Sequence, residues 1–334
     1  MVPSQRTSIE WQAGGQSLKF TLSDYLAGEY PFRALISETP ITAWLGATEP
    51  PLPPAEASER SLAGAVIRNL PFSGKLPTFR AIGPWLRYVP IRYTRFLVER
   101  TGTFEEYLEK FSSKSRKNLK RSVRKFDEVA GGACCWREYR TLADVEEFHR
   151  LAAGLSGRTY QTRLFDEGLS FTNETRRHLD ELAADDRLRG YVLFYCNEPI
   201  AFALCEATGD VLLYKMVGHS PEHRDFSPGT VLLFHIIERF FGAHQFRYLD
   251  FGEGEGFYKQ FFSNLELPCA RVYYFKRTFR LVAVVGAHRL WNLALETATR
   301  FPGVPRLVQK LRQSLRRQAP SDGEQPNAPG YKAA

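Results

Sequence analysis

The sequence predicts an α+β fold, and three observations support this prediction. Residues 1–100 hold short β-like segments and no apolar repeat of helix length. Residues 103–185 carry apolar side chains at the three- and four-residue spacing of amphipathic helices. Residues 190–277 return to strands, in the order three-strand meander, loop and helix, strand, short helix and last strand. This order predicts a sandwich in which one helix N-terminus points at a ligand.

Length, charge and cysteine usage limit the class of protein. The 334 residues suggest two domains, with ample length for a buried core. Lys and Arg exceed Asp and Glu by eight, 45 against 37, which favours an anionic partner: a phosphate-bearing cofactor, an acidic carrier protein, nucleic acid or a membrane surface. The five cysteines are odd in number and lack Cys-x-x-Cys spacing. We therefore expect no metal site, no disulfide framework and a reducing cytoplasm.

Neither a targeting segment nor a membrane span is predicted. The N-terminal stretch lacks the apolar core of a signal peptide. The longest apolar run, LVAVVGA at 281–287, is too short to cross a bilayer.

The helical region begins at a capping box formed by Thr103 and Glu106. The next helix carries seven Lys or Arg among the twelve residues 114–125, beside an apolar stripe of Leu119, Val123 and Phe126. This basic face is either a solvated helix surface or a docking site for an acidic carrier protein, anionic lipid or tRNA. A third helix is expected after Thr141, and a fourth over 173–185.

The segment HRDFSPGT, residues 223–230, has the features of a phosphate-binding helix start. The first turn of a helix presents unpaired N–H groups and a partial positive charge. Gly229 would let the backbone approach a phosphate, Thr230 and Val231 would supply N–H donors, and Arg224 would add a charged contact. The alternative is an ordinary turn, in which Ser227 caps the helix and Pro228 takes its first position.

The tract RYLDFGEGEGFYKQFFS, residues 247–263, ends a strand at Asp250 and continues with glycines and carboxylates. Loops that follow strand ends in this way often hold ligands. With the meander, the Arg-x-x-Ser-x-Gly loop and the helix, it resembles the GNAT acyltransferase superfamily, in the branch of CelD-like acetyltransferases and Fem-type transferases. The resemblance spans about residues 104–277. One loop glycine of the family is replaced here by Ser227.

The resemblance implies a GNAT-like mixed sheet flanked by helices, with residues 1–102 as a degenerate second GNAT-like half. The GNAT-like domain would span 103–279, basic helices 280–317, and a disordered tail 318–334. A helix predicted over 304–317 would pack on the domain or anchor it at a membrane interface, which would add a peripheral association with the inner membrane to the cytoplasmic location.

The implied reaction is acyl transfer from acetyl-CoA or another acyl thioester to an amine or hydroxyl, without a metal. Arg224, Ser227, Gly229, Thr230 and Val231 would surround the donor pyrophosphate. The strand YLDFG would splay from the meander and leave a slot for the pantetheine arm. No serine or cysteine nucleophile is implied.

Proton transfer in this reaction needs an acid and a base. Tyr258 would protonate the leaving thiolate, or it is a packed aromatic among Phe257, Phe261 and Phe262. The candidate bases are Asp250, Glu253, Glu255 and His219, each able to act through a water. Gly252 and Lys259 would bind the acceptor. His223, His235 and His244 have no metal-ligand company in the sequence and are interpreted as structural.

Two other functions remain open at this point. One is Fem-like aminoacyl transfer from tRNA, which the basic helices favour. The other is an inactive GNAT scaffold that binds nucleic acid or membrane, which the lost loop glycine favours. For acyl transfer from a thioester, the expected partner is the acyl donor, either CoA or an acyl carrier protein. Nucleic acid is the less favoured partner.

Overall fold

The computed structural model describes residues 10–22, 25–37, 41–45, 49–130, 135–156, 172–254 and 256–298. Its centre is one mixed sheet of eleven strands. The strands are β1 (Trp11–Leu22), β2 (Tyr25–Ser37), β3 (Gly64–Pro71), β4 (Phe79–Ile82), β5 (Trp85–Glu99), β6 (Trp136–Tyr139), β7 (Leu188–Tyr195), β8 (Glu198–Thr208), β9 (Val211–His219), β10 (Tyr248–Asp250) and β11 (Leu265–Lys276). Their spatial order is β1-β2-β3-β11-β5-β10-β9-β8-β7-β6, with β4 beside β5.

Helices cover this sheet and confirm the α+β prediction. The α-helices are α1 (Phe104–Leu108), α2 (Ser113–Val129), α3 (Leu142–Ser156), α4 (Asn173–Ala184), α5 (Pro228–Ala243), α6 (Phe257–Phe262) and α7 (Phe279–Ala298). Three short 3₁₀ helices lie at Ile41–Trp44, Ala55–Ser58 and Pro221–Phe226. The mixed sheet flanked by helices is the GNAT-like architecture that the sequence predicts.

Local sequence accounts for the starts of the first two helices. Thr103 accepts a hydrogen bond from the N–H of Glu106, whose carboxylate accepts one from the N–H of Thr103, so the predicted capping box is present. Ser112 caps α2 in the same way through the N–H of Ser115. The apolar stripe of α2 is buried in the main core, where α2 packs against α5, while its basic residues face outward.

The meander also matches its prediction. β7 pairs with β8, and β8 with β9, through antiparallel ladders joined by short turns. The turn at Cys196 and Asn197 has positive φ angles of 48° and 63°, as a two-residue hairpin turn requires. The register of β8 with β9 shifts at Leu204 and leaves Lys215 without a partner, so β9 contains a bulge.

Two of the strand pairs are parallel, β2 with β3 and β9 with β10. The connection from β9 to β10 carries α5, whose apolar side chains are almost all buried in the main core. The second pair is short: Tyr248–Asp250 lies opposite Val211–Leu213, whereas β9 continues to His219. The two strands therefore separate after Asp250, as the resemblance implies.

The N-terminal region and the last strand share one sheet. β11 lies between β3 and β5, and β5 in turn pairs with β10. The proline-rich stretch at 49–59 contains a 3₁₀ turn whose Ala57 is fully buried, which fits a packed surface loop. The domain boundaries at 102 and 279 stay a prediction.

The last described helix, α7, packs on β1, β5 and β11 through Leu281, Val285 and His288. Its opposite side exposes Phe279 and Leu290. None of the helices in the described ranges is long and apolar enough to cross a membrane. The helix predicted over 304–317 and the tail at 318–334 lie outside the described residues.

Candidate active site

A cavity of about 210 Å³ opens where β9 and β10 separate. The outer part of β9 forms one wall, and the first turn of α5 and the side of α6 form the others. Four of the residues singled out in the sequence line it together: His219, Gly229, Thr230 and Tyr258. These residues come from three separate segments, which the splayed strands bring to one place.

The turn before α5 differs from a simple capped helix. Ser227 adopts the left-handed conformation, with φ 50° and ψ 51°, and its side chain makes no capping hydrogen bond. The expectation that Ser227 caps the helix is therefore wrong, because a residue in this conformation turns its side chain away from the first turn. Pro228 occupies the start of the helix, as predicted.

The N–H groups of the first turn are used differently from the prediction. Thr230 and Val231 both donate to the carbonyl oxygen of Ser227, at 2.9 and 3.1 Å, so these two donors are engaged within the turn. The N–H of Gly229 has no protein acceptor among the described residues. It is the first-turn donor left for a ligand. A Cβ at position 229 would lie 3.8 Å from His219 Nδ1, on the cavity side of the helix.

A second cavity, of about 400 Å³, lies on the other side of the Ser227 turn. Arg121 and Lys125 of α2 line it together with Phe126 and Ser227. Arg224 is exposed in the preceding 3₁₀ helix. The basic helix is therefore adjacent to the predicted phosphate turn, although more than a hundred residues separate them in sequence. Sequence reasoning missed this neighbourhood.

Tyr258 has different packing neighbours from those predicted. Its ring meets the edges of Tyr214 and Phe251, at centroid distances of 6.3 and 6.0 Å. Phe257 instead is exposed and stacks on Phe261. Burial raises the pKa of Tyr258 to about 12, so the phenol keeps its proton at neutral pH. The side chain has the protonation state that a general acid needs.

Tyr214 is a cavity residue that the sequence reasoning did not select. Burial, with a smaller contribution from Tyr258, raises its pKa well above the usual value near 10. Two protonated phenols therefore face the same small cavity. Tyr214 lies one residue before the bulged Lys215, so a simple alternation of inward and outward side chains along β9 would not reveal it.

His219 ends β9 beside the start of α5. Burial lowers the pKa of this imidazole below its usual value near 6.5. The ring is therefore neutral at neutral pH and able to accept a proton. Of the predicted bases that the structure describes, His219, Asp250 and Glu253, it is the one that lines the cavity.

Asp250 is held in a buried ion pair. Arg95 of β5 donates to both of its oxygens, with distances of 3.1 Å from Nε and 2.6 Å from Nη2. The N–H of Gly252 donates to Asp250 Oδ1 at 2.8 Å. Gly252 itself has φ 75°, which glycine adopts without strain. Asp250 therefore fixes the loop that follows it.

Of the two remaining carboxylates of the loop, the structure describes the contacts of Glu253. Glu253 forms a bidentate pair with Arg271 of β11, with both oxygens 2.9 Å from Nη2. Lys259 donates to the carbonyl oxygen of Glu253 at 2.8 Å, and burial lowers the pKa of its amine. Glu255 lies outside the described residues.

Arg271 connects this loop to a larger cleft. The cleft has a volume of about 910 Å³ and lies between the β1–β2 hairpin, β5, β11 and α7. Lys19, Arg33 and Arg271 give it cationic walls, with Glu29 as an opposing charge. Nothing in the sequence pattern indicated this cleft, because its walls come from both ends of the chain.

The three histidines interpreted as structural have different surroundings. His223 Nδ1 lies 3.2 Å from Ser220 Oγ, and Arg100 Nη1 lies 2.9 Å from His244 Nδ1. His235 lies beside Asp127 and Cys135, with which it forms a group of three metal-ligand types. The expectation that His235 has no such company is wrong, since Asp127 lies 108 residues away in sequence and meets it only in the fold.

Residues 113–260 match the family model of the acetyltransferase (GNAT) domain. The matched region runs from α2 to α6 and includes the meander, the Ser227 turn, α5 and the loop after Asp250. This part of the chain belongs to the GNAT superfamily. The matched domain is that of an acyltransferase superfamily. Among curated proteins, none matches the sequence.

Three solved structures are similar to this chain at low identity. FemX is 10% identical, with a TM-score of 0.43, over 77% of this chain and 88% of its own. L-PGS from Bacillus licheniformis is 12% identical, with a TM-score of 0.41, over 68% and 73%. The C-terminal domain of a protein assigned as a lysylphosphatidylglycerol synthetase from Agrobacterium fabrum is 13% identical, with a TM-score of 0.42, over 68% and 72%.

Proposed function

We propose that this protein transfers an acyl group from a phosphopantetheine thioester, of CoA or a carrier protein, to an amine or hydroxyl acceptor. The observation that carries this proposal is the cavity between the splayed strands, which His219, Gly229 and Tyr258 line together. A pantetheine arm in this cavity would bring the thioester between the neutral imidazole and the protonated phenol. The donor phosphates would lie outside, at the Ser227 turn.

Backbone N–H groups and basic side chains both contribute to the proposed phosphate contact. The free N–H of Gly229 and the positive end of α5 favour an anion at this turn. Arg224 is close to the turn and exposed, and Arg121 and Lys125 border the adjacent cavity of about 400 Å³. Gly229 leaves the space in which a side chain would block the approach of a phosphate.

The proton balance follows from the two pKa shifts. An amine acceptor loses a proton as it attacks the thioester carbonyl, and neutral His219 accepts that proton directly or through water. The C–S bond then breaks, and Tyr258 donates its proton to the departing thiolate. The products are the acylated acceptor and the free thiol. The bulge at Lys215 lies in the strand whose N–H groups would polarise the carbonyl.

The acceptor would approach from the side of the Gly252–Gly254 loop. Glu253 and Arg271 join this loop to the cationic cleft of about 910 Å³, which is large enough for a substantial substrate. Arg33 and Lys19 favour an acceptor with a carboxylate or phosphate group. In this arrangement Asp250 positions the loop, and Lys259 supports it from α6.

Native mass spectrometry of the purified chain against four donors tests the proposal. The donors are CoA, acetyl-CoA, an acyl carrier protein and an aminoacyl-tRNA. We expect binding of CoA or the carrier protein, and retention of the signal when α2 carries charge reversals at Lys117 and Lys120, which do not line either cavity. Binding of aminoacyl-tRNA alone would replace this proposal with aminoacyl transfer. No binding of any donor would favour an inactive scaffold.

A further inference from the structure

Three side chains of different chemistry converge between α2, the start of β6 and α5. Asp127 comes from α2, Cys135 immediately precedes β6, and His235 lies in the second turn of α5. Their ligand-type atoms all lie within 4.8 Å of one another. Asp127 Oδ1 is 3.2 Å from both Cys135 Sγ and His235 Nε2. Cys135 and His235 are buried, and none of the three lines the proposed acyl-transfer cavity.

The donor set fits zinc. Zn²⁺ accepts thiolate sulfur, imidazole nitrogen and carboxylate oxygen in tetrahedral sites, with bonds of about 2.0–2.3 Å. Bonds of that length put the donor atoms about 3.3–3.6 Å apart, close to the two separations of 3.2 Å from Asp127 Oδ1. A thiolate and a carboxylate together balance the charge of the ion. Mg²⁺ and Ca²⁺ prefer sets composed of oxygen alone.

The surroundings of His235 orient its ring toward the group. Glu238, one turn further along α5, puts Oε2 3.5 Å from His235 Nδ1. Trp136 stacks on the imidazole at a centroid distance of 6.0 Å and an angle of 25°. Zinc-bound histidines commonly have a carboxylate at the nitrogen that does not bind the metal. Here that arrangement leaves Nε2 directed at Asp127 and Cys135.

We propose that Asp127, Cys135 and His235 bind one zinc ion, with water in the fourth position. The ion cross-links α2 to α5 and to the start of β6. It has no part in the acyl-transfer chemistry, since its ligands lie outside the cavity that holds His219 and Tyr258. Its role is to hold the basic helix against the helix that carries the phosphate turn.

The cross-link lies close to the basic residues beside the Ser227 turn, where the donor phosphates are proposed to bind. Asp127 lies next to Phe126 and six residues beyond Arg121 on α2, and both of these residues border the cavity beside Ser227. Fixing α2 at Asp127 therefore also fixes Arg121 and Lys125 beside that turn. This consequence rests on the proposed function, whereas zinc binding itself does not.

Metal analysis of the full-length chain, purified without a polyhistidine tag, tests the site. We expect about one zinc per chain by elemental mass spectrometry. Competition with a chromophoric chelator should give an affinity that falls at least about 100-fold in Cys135→Ala and in His235→Gln. Glu238→Gln should lower it by about 10- to 100-fold, the range for residues that orient a ligand. The matched controls Cys196→Ala and His223→Gln, which alter residues outside the group, should bind as the parent does.

Cobalt(II) gives a readout on the unaltered protein, in case a variant fails to fold. Co²⁺ added to the metal-free chain should produce visible ligand-field bands and a thiolate-to-metal band in the near ultraviolet. Zinc should also raise the thermal midpoint of the metal-free protein, because a ligand of the native state stabilises it. Absence of zinc binding in the parent, absence of the thiolate band, or unchanged affinity in Cys135→Ala would each overturn the proposal and leave a metal-free hydrogen-bonded group.

If zinc binds and chelation leaves donor affinity unchanged, the site is confirmed and its link to the phosphate turn is refuted. If zinc binds and no thioester donor binds at all, the metal site stands and the proposed function fails. The two results are therefore distinguishable.

Discussion

The two halves of the sheet share a pattern of strand pairing but differ in the connection that crosses it. In the N-terminal half β2 and β3 are parallel over Ala34–Ser37 and Gly64–Ile67. In the C-terminal half β9 and β10 are parallel over three pairs. The connection from β9 to β10 carries α5, with sixteen residues and an N-terminus at the cavity. The connection from β2 to β3, in its described residues 41–45 and 49–63, has only 3₁₀ turns.

This difference separates two roles. A helix N-terminus beside separated strands provides a place for a phosphate and a slot for the chain attached to it. The parallel pair of the N-terminal half has no such helix in the described part of its connection, and the cleft of this half is instead large, open and cationic. We therefore assign the donor to the C-terminal half and the acceptor to the N-terminal half. The pairs Asp250–Arg95 and Glu253–Arg271 connect the two.

The largest effect is expected where the halves are joined. Asp250→Asn leaves the guanidinium of Arg95 buried without its carboxylate. Removing one partner of a buried ion pair typically costs about 3–5 kcal/mol of stability. Urea unfolding should show a loss of this size. The exposed pair of Arg124 with Glu128 is the control, since Arg124→Gln should change stability by less than about 1 kcal/mol. A loss of stability below about 1 kcal/mol in Asp250→Asn would show that the joining of the two halves does not depend on this ion pair.

A loss of turnover is expected from Tyr258→Phe, which keeps the ring and removes the proton. General acids typically contribute about 10²–10⁴-fold. Because Tyr214 is a second protonated phenol in the same cavity, we expect a loss in kcat of about 10- to 1000-fold, with donor affinity and thermal midpoint unchanged. Tyr214→Phe is the matched variant. A larger kcat loss in Tyr214→Phe than in Tyr258→Phe would transfer the acid role to Tyr214.

The pH profile should identify His219 as the base. Because burial lowers its pKa below about 6.5, kcat/KM should stay level down to that pH and fall beneath it. His219→Gln should remove this acid limb and lower the rate by about 100-fold. An acid limb that persists in His219→Gln would assign the base to another group.

The same shift predicts the stability of the folded state. The unfolded chain takes up the His219 proton first as the pH falls below about 6.5. The stability contributed by the neutral buried ring is therefore lost between that value and the lower pKa of the folded protein. In His219→Gln, this pH-dependent loss of stability should be absent when the free energy of unfolding is measured across that pH range.

The smallest effect concerns the glycine that the family loop has and this chain lacks. Ser227 has φ 50°, a conformation that costs a non-glycine residue about 1–2 kcal/mol. Ser227→Gly relieves this strain but makes the unfolded chain more flexible, so a net gain of about 0.5–1 kcal/mol is expected by thermal unfolding. Ser227→Ala keeps the strain and removes the hydroxyl. If both variants lose donor affinity, the hydroxyl itself binds the phosphate.

Local patterns explain which parts of this molecule the sequence predicts. The capping box at Thr103, the stripe of α2 and the hairpins of the meander each depend on residues a few positions apart. The order of these elements led to the GNAT resemblance and, with it, to Gly229, His219 and Tyr258. These three residues do meet at one cavity.

The features that the sequence could not reveal depend on distant contacts. Arg95 and Asp250 are 155 residues apart and pair because β5 enters the sheet between β10 and β11. His235 meets Asp127 across 108 residues, and no local spacing marks that meeting. Tyr214 was missed for a local reason, since the bulge after it changes the side-chain alternation of β9.

Calorimetric titration of CoA and acetyl-CoA tests most directly whether the start of α5 holds the donor. The variants are Gly229→Val and, as a matched control at the far end of the same helix, Gly242→Val, whose new side chain would contact nothing within 4 Å at its Cβ. A blocked approach and a lost hydrogen bond to a charged phosphate, worth about 1.5–3 kcal/mol, should weaken binding by about 10- to 100-fold in Gly229→Val. Gly242→Val should bind as the parent does. Equal donor affinity in all three folded proteins would contradict the assignment of the donor to the C-terminal half.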